Sequence, residues 1–296
     1  MSYQLHKTKT DRVTDVVIYG VLGLFTLFTL FPLYYVVVMS ITPITEVLKN
    51  GGFVIIPKGF TLDAYRAIWE SQAVPNALKV TIFITVVGTF LNLVVTSLLA
   101  YPLSKKSLPG RNLLLFMIVF TMLFNGGLIP LYLVVRATGL LDSVWAMIIP
   151  GMVSAFNLLI MKTFFENLPE EIEEAAKVDG CGEVSTLVRI VLPLSTPIMA
   201  TLGLFYGVTH WNEYFKGIMY LNDKSLYPIQ VVLRNMITTP NVSQDLMLSN
   251  PGLIQALPPE TVKMAVVVAA LLPILAVYPF LQKYFLKGML LGAIKG

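Results

Sequence analysis

An all-α integral membrane protein with six transmembrane helices is the fold class this sequence predicts. Charged residues make up only 13% of the 296 positions, while hydrophobic residues make up 56%. An ordinary soluble domain carries roughly 25% charged residues, so the chain has about half the usual charge. The deficit is concentrated in runs of the ~20 apolar residues that a helix needs to cross an ~30 Å hydrocarbon core. Between those runs, turn residues and charges cluster as they do at membrane surfaces.

The spans read from these runs are 16–40, 78–102, 113–135, 144–164, 196–221 and 263–286. The first is too long for a signal-peptide core and lacks a small-residue cleavage site after it, so it is expected to stay as an anchor. Pro32, the Gly126-Gly127 pair with Pro130, Pro150, Pro273 and Pro279 all fall within spans. Such breakers are tolerated where neighbouring helices satisfy the freed backbone groups, which favours a packed bundle around a pathway over a lone anchor.

Orientation follows from Lys and Arg in the connecting segments. The N-terminal segment, the 103–112 loop, the 165–195 region and the tail together hold twelve, against eight on the other side. Both termini and the 165–195 segment are therefore expected on the cytoplasmic side. The reading divides the chain into three parts. Residues 1–77 form an N-terminal segment, first span and outer loop; 78–286 form a five-span core; 287–296 form a cytoplasmic tail. Two long outer segments, 41–77 and 222–262, are tethers or functional loops. The single cysteine, Cys181, excludes an internal disulfide, and His6 and His210 are too few and too far apart for a zinc site. No basic, aromatic-interleaved stretch suggests nucleic acid.

The 165–195 segment is out of character with the rest. Seven of the 17 acids lie between Glu166 and Glu183. Pro169 suits a first helical position, and Glu170, Glu171 and Glu173 complement the positive end of the helix dipole. Ile172, Ala175 and Ala176 share one face at helical spacing, while Glu170, Glu174 and Lys177 share the opposite one. Gly180 ends that helix and Gly182 loosens the corner. A second helix follows with the apolar stripe Val184, Leu187, Val188 and Val191, and Pro193 stops it. The residues alone allow two readings: a solvated loop with capping acids, or a docking corner for a partner with a basic-rimmed groove.

The spacing favours the second. Glu174-Ala175-Ala176, three residues, Gly180, nine residues, then Ile190-Val191-Leu192-Pro193 matches the EAA-x3-G-x9-I-x-LP signature of ABC importer permeases. AYPLSKK, NGGLIPLYLVV, WNEYF and the ending QKYFLKGMLLGAIKG resemble carbohydrate-uptake permeases over nearly the whole chain. The resemblance is to the maltose-type second permease subunit, in a subgroup linked with complex oligosaccharides. Cys181 and Lys177 depart from common family choices without touching a signature position.

That resemblance implies a type I importer permease fold in a bacterial cytoplasmic (inner) membrane. It implies a second permease subunit as heterodimer partner, two ATP-binding subunits and an extracytoplasmic sugar-binding protein, with lipid around the spans. A coupling helix at about Glu170 to Gly180 would seat in an ATPase cleft. The coupling set would be Glu173, Glu174, Ala175, Ala176, Asp179, Gly180, Ile190, Leu192 and Pro193. The 222–262 loop would face the binding protein, and the tail Lys287–Gly296 would reach between the ATPase subunits. No cofactor or metal is expected on this chain. A P-loop needs Gly-Lys before Ser or Thr, and no Gly-Lys occurs here, so ATP and Mg belong to the partner ATPase and the chain is not itself an enzyme.

For the substrate pathway, sugars are bound by aromatic stacking with amide or carboxylate hydrogen bonds. Trp211, Asn212 and Glu213 in the fifth span are the first choices, with Asn157 and Asn125 behind them. Glu213 and Lys216 could pair with one another instead. The alternative of an ion-coupled secondary transporter would need inverted repeats and intramembrane carboxylate relays. No clear repeat is present, and Glu213 alone could serve as a relay. A membrane enzyme is disfavoured by the few histidines and one cysteine.

Overall fold

The computed structural model describes residues 9–238 and 259–293, with side chains over 12–238 and 260–277. Among these residues all regular structure is helical. The sequence-predicted parts of the 222–262 loop at 239–258, and the end of the tail at 294–296, lie outside the described residues.

Three helices are long and apolar enough to cross a membrane without interruption: Arg12–Ile41, Ala73–Ser104 and Glu260–Val277. Three further candidates are bent helix pairs, each a broken span or a re-entrant loop: Arg111–Leu123 with Leu128–Ala137 at 115°, Trp145–Gly151 with Ala155–Glu166 at 54°, and Glu183–Leu194 with Thr196–Trp211 at 84°. Counting each pair as one crossing gives six. Chemistry explains the breaks. At the first, Gly127 sits at φ 90°, and the Asn125 Oδ1 accepts from the Gly127 N–H at 2.8 Å. Pro130 then falls in the first turn of the next helix, where its missing N–H costs nothing. At the second, Pro150 ends a turn and Ser154 caps the resumed helix, its Oγ accepting from the Asn157 N–H at 3.4 Å. By contrast Pro32 and Pro102 sit inside continuous helices.

The chain divides into two compact units, Met1–Gln72 with Thr239–Ala269 and Ala73–Thr238 with Ala270–Gly296. In the first, α1 (Lys9–Ile41) leads into two short helices, α2 (Ile44–Lys49) and α3 (Asp63–Glu70). The segment read from sequence as a long outer loop is thus folded. Val38, Met39, Val47 and Val54 form its core. Tyr35 stacks on Phe53 at 5.0 Å, and the Ser40 and Tyr65 hydroxyls hydrogen-bond at 2.7 Å.

The second unit is organised on α4 (Ala73–Ser104), a 32-residue helix packed along both α8 (Ala155–Glu166) and α12 (Thr196–Trp211). Between them in sequence lie α5 (Arg111–Leu123), α6 (Leu128–Ala137), α7 (Trp145–Ile148), α9 (Glu170–Val178), α10 (Glu183–Thr186) and α11 (Leu192–Leu194). After α12 come α13 (Phe215–Tyr220) and α14 (Ile229–Thr238), while the last helix, α15 (Pro259–Ala293), begins in the first unit and belongs to the second from Ala270 on. One core gathers Ala100, Tyr101, Leu103, Leu158, Met161, Phe165, Leu187, Val191 and Leu202. The expected fifth span 196–221 is not one helix: it breaks over Asn212–Tyr214, after an Asn C-cap, before the short α13.

Asp142 ties two connecting loops together. Its Oδ1 accepts from the Asn222 and Asp223 amides at 2.7 and 2.9 Å, and its own N–H donates to the Tyr220 carbonyl at 2.9 Å. The bonds from the Asp223 and then the Asn222 N–H hold its carboxyl below the usual carboxylate range. A group with a depressed folded-state pKa stabilises above its unfolded value and loses that contribution as pH falls through the folded value. The tie should therefore be complete between about pH 5 and 8. Hydrogen-exchange protection of the Asn222 and Asp223 amides is expected to be flat over that range and lost in Asp142→Ala.

Candidate functional site

The acidic corner between α8 and α12 is built as follows. Pro169, at ψ 126°, is the N-cap of α9 and not its first helical residue; the helix starts at Glu170. At the other end Gly180 adopts φ +78°. Its N–H donates to the Lys177 carbonyl at 3.0 Å, and the Cys181 N–H donates to the Ala176 carbonyl at 2.9 Å. This pair of bonds is a Schellman closure, with glycine at the left-handed position. Gly182 takes an ordinary extended conformation, open to any residue, and caps α10.

The helix does not present its faces quite as spacing suggests. Ala176 is buried and Ile172 half-buried, but Ala175 points outward beside Glu174. The acids separate into two groups. Glu166 is held by Arg111 at 2.7 Å and by Lys162. Glu173 pairs with Lys105, and Glu183 pairs with Lys177 at 3.1 Å while accepting from the Tyr101 hydroxyl at 3.1 Å. Glu170, Glu171, Glu174 and Asp179 are exposed, and among the described residues none of them has an intrachain ion pair. Glu173 and Glu183 fasten the corner to the end of α4, Glu166 joins α8 to α5, and the other four acids are exposed.

Pro193 does not stop the second helix. The segment runs α10, then a π turn over Leu187–Val191, then α11, and breaks only at Ser195. A proline ring clashes with the carbonyl four residues back and supplies no N–H. Widening the preceding turn to i→i+5 relieves both problems. The expected apolar stripe is also split: Leu187 and Val191 are buried, while Val184 and Val188 are 70% and 55% exposed. Leu192 packs against the core, Ile190 is half-buried, and Pro193 is exposed. With Val178 at 87% exposure and Ala175, the exposed valines add an apolar area to the acidic one.

Of the sequence-predicted pathway residues, the structure brings Trp211, Asn212 and Glu213 together at the break after α12. Trp211 is buried and its indole N–H has no partner among the described groups. Asn212 is exposed and donates to the Val208 carbonyl at 2.9 Å. Glu213 is paired with Lys216 at 3.3 Å, both side chains mostly buried. Asn157 is buried on α8, and Asn125 is spent on the turn at the other break.

A second polar centre escaped the sequence reading. Asn92 of α4 is fully buried, and its Nδ2 donates to the carbonyls of Gly151 and Met152 at 3.0 and 2.6 Å. Its Oδ1 meets His210 Nε2 at 2.6 Å. One helical turn further on, Thr96 and Tyr206 share a hydroxyl hydrogen bond of 2.8 Å, and the Ser154 N–H donates to Tyr206 at 3.3 Å. The four-residue spacing of Asn92 and Thr96, opposite Tyr206 and His210, was the available signal. No group of three His, Cys, Asp or Glu side chains among the described residues could hold a metal.

Residues 2–290 match the profile of a family described as "Binding-protein-dependent transport system inner membrane component". The chain is 48% identical over 286 residues to the polygalacturonan/rhamnogalacturonan transport system permease protein YtcP of Bacillus subtilis (strain 168), covering 97% of this chain and 99% of that one. It is 48% identical over 296 residues to protein LplC of the same organism, with 99% of each covered. A crystal structure of a bacterial ABC transporter involved in the import of the acidic polysaccharide alginate contains a chain that superposes with TM-score 0.89 at 34% identity. That match covers 95% of this chain and all of that one (100%).

Proposed function

Because the chain belongs to the family of binding-protein-dependent transport system inner membrane components, we propose that it carries oligosaccharides released from acidic polysaccharides, and that its acidic corner receives the work of a separate ATPase. It is a permease subunit of an ABC importer for sugars, in an inner membrane. The cargo reading rests on the polygalacturonan and rhamnogalacturonan named for one similar protein and the acidic polysaccharide alginate named for another. The assembly we propose contains a second permease as heterodimer partner, two ATP-binding subunits that hold ATP and Mg, and an extracytoplasmic binding protein. Both termini and the corner lie on the cytoplasmic side, as the Lys and Arg distribution favours.

The observation that carries the corner's role is the sorting of its acids. Glu173, Glu183 and Glu166 are neutralised within the chain, whereas Glu174, Glu170, Glu171 and Asp179 are exposed beside Ala175 and three exposed valines. Charge around an apolar centre is the anatomy of a protein interface. Glu174 is the residue we assign to an ATPase arginine, Ala175 to close contact, and Gly180, Ile190, Leu192 and Pro193 to the shape of the corner. Trp211, Asn212 and Glu213 with Asn157 and Asn125 are the pathway residues of the proposal. The corner moves the spans only if the ATPase and the loaded binding protein prefer different states of the permease.

Glu174→Lys tests this in the reconstituted transporter. Losing one partner of a desolvated charge pair costs roughly 2–5 kcal/mol. Stimulation of ATP hydrolysis by loaded binding protein is therefore expected to fall at least about tenfold, with the melting temperature of the permease pair unchanged. Full stimulation and uptake in that variant would refute the assignment.

A further inference from the structure

Beyond the apolar packing of Leu187, Val191 and Leu192, the corner is tied to the end of α4 by polar contacts at two points of a single helical turn. Lys105 follows the C-terminal end of α4 and pairs with Glu173 of α9, their side chains 26% and 15% exposed. The same ammonium lies 4.4 Å from the centre of the Tyr101 ring. Tyr101 is buried, donates to Glu183 at 3.1 Å and packs edge-on to Phe165 at 6.4 Å. Glu183 stands at the start of α10, and Lys177 of α9 closes the circuit onto it at 3.1 Å. So α9 and α10, on either side of the Gly180 turn, are fixed to Lys105 and to Tyr101 respectively. A cation at this end of α4 also meets the negative pole of the helix.

The covalent routes out of the corner are less direct. Toward α12 the chain passes a π turn and the 84° bend at Ser195. Toward α8 it passes Asn167, Leu168 and the Pro169 cap, outside any helix. By comparison α4 is unbroken for 32 residues and lies along both α8 and α12.

We infer that Glu173 and Lys105, with Tyr101, Glu183 and Lys177, form a clasp that makes α4 the helix through which displacement of the corner enters the membrane core. Glu173 is thus a positioning residue, turned toward its own chain, and not a contact to the ATPase. This rests on the proposed role of the corner, and the tests separate the two. In the complete transporter, Glu173→Gln keeps the shape and removes the charge. It should lower sugar transported per ATP hydrolysed by about tenfold, the middle of the range of coupling seen for contacting groups, while the ATPase still co-purifies in full. Lys105→Glu should do the same, and combining Lys105→Glu with Glu173→Lys should restore coupling to within about twofold of the parent. A spin-label distance between the native Cys181 and Phe90→Cys in the middle of α4 should vary more across the ATP cycle in the single variants than in the parent.

Unchanged transport per ATP in Glu173→Gln overturns the clasp. So does loss of ATPase co-purification in that variant, which would place Glu173 in the subunit interface. Failure of the double exchange to restore coupling, at normal melting temperature, also overturns it. A harmless Glu174→Lys would instead strike at the corner's docking role, leaving the clasp result to be read independently.

Discussion

Gly88→Val is expected to leave no stably folded permease, and Gly88→Ala to leave one with a lowered melting temperature and reduced uptake. A Cβ at Gly88 would lie 2.6 Å from His210 Nε2 and 2.9 and 3.0 Å from two ring carbons. The ring cannot simply withdraw, because its position is set by Asn92. The Asn92 amide nitrogen donates to two carbonyls freed by the break after Pro150, so its oxygen must face the histidine and His210 Nε2 must carry the proton. Displacing the ring therefore strips a buried hydrogen bond, at about 1–3 kcal/mol, and tilts the amide that holds the bent span. Transmembrane hydrogen bonds measured singly run lower, at about 0.6–2 kcal/mol. Here, however, Thr96, Tyr206 and Ser154 follow one turn along and share the same helix separation. Thermal unfolding of purified permease with uptake in vesicles checks the series. A Gly88→Val protein with parental stability would show that α4 and α12 do not need this close approach.

That glycine was invisible in the sequence for a physical reason. Gly88 and His210 are 122 positions apart, and nothing local distinguishes a helix-packing glycine from any other small residue in an apolar run. Span existence was legible because the hydrocarbon core sets length and composition together. The bends were not, since Pro32 and Pro102 continue a helix while Gly127 and Ser195 break one, and the difference lies in which neighbours accept the freed backbone groups. The corner fared better where its structure is local. The ends of α9 follow from Pro169 and Gly180, one residue later than expected at the start. What spacing could not say was which acids turn inward, because Lys105 comes from a segment 68 positions away. Ala175 and Ala176, adjacent in the signature, face opposite environments. A pattern of identities fixes the backbone corner more firmly than it fixes the direction of each side chain.

Substitutions at Gly180 should separate backbone shape from every other contribution to coupling. An added Cβ there meets nothing within 4 Å, so no contact is gained or lost by adding one. The only cost is the left-handed conformation at φ +78°, about 1–2 kcal/mol for an ordinary residue, smaller for Asn and larger for a β-branched side chain. The Schellman bonds to Ala176 and Lys177 require that conformation. Relaxing it releases the end of α9 from the start of α10 and re-aims Glu174 and Ala175. Transport per ATP hydrolysed is therefore expected to fall in the order Gly, Asn, Ala, Val, with Val losing at least about tenfold. The transmembrane core lies away from the turn, so its melting temperature should hardly move. Reconstituted uptake measured beside ATP hydrolysis gives the order directly. If Ala and Asn behaved alike and Val no worse, the turn would not be setting the corner's aim. If the melting temperature fell in step with coupling, Gly180 would be acting on the fold and not on the transmission of movement from one subunit to the next.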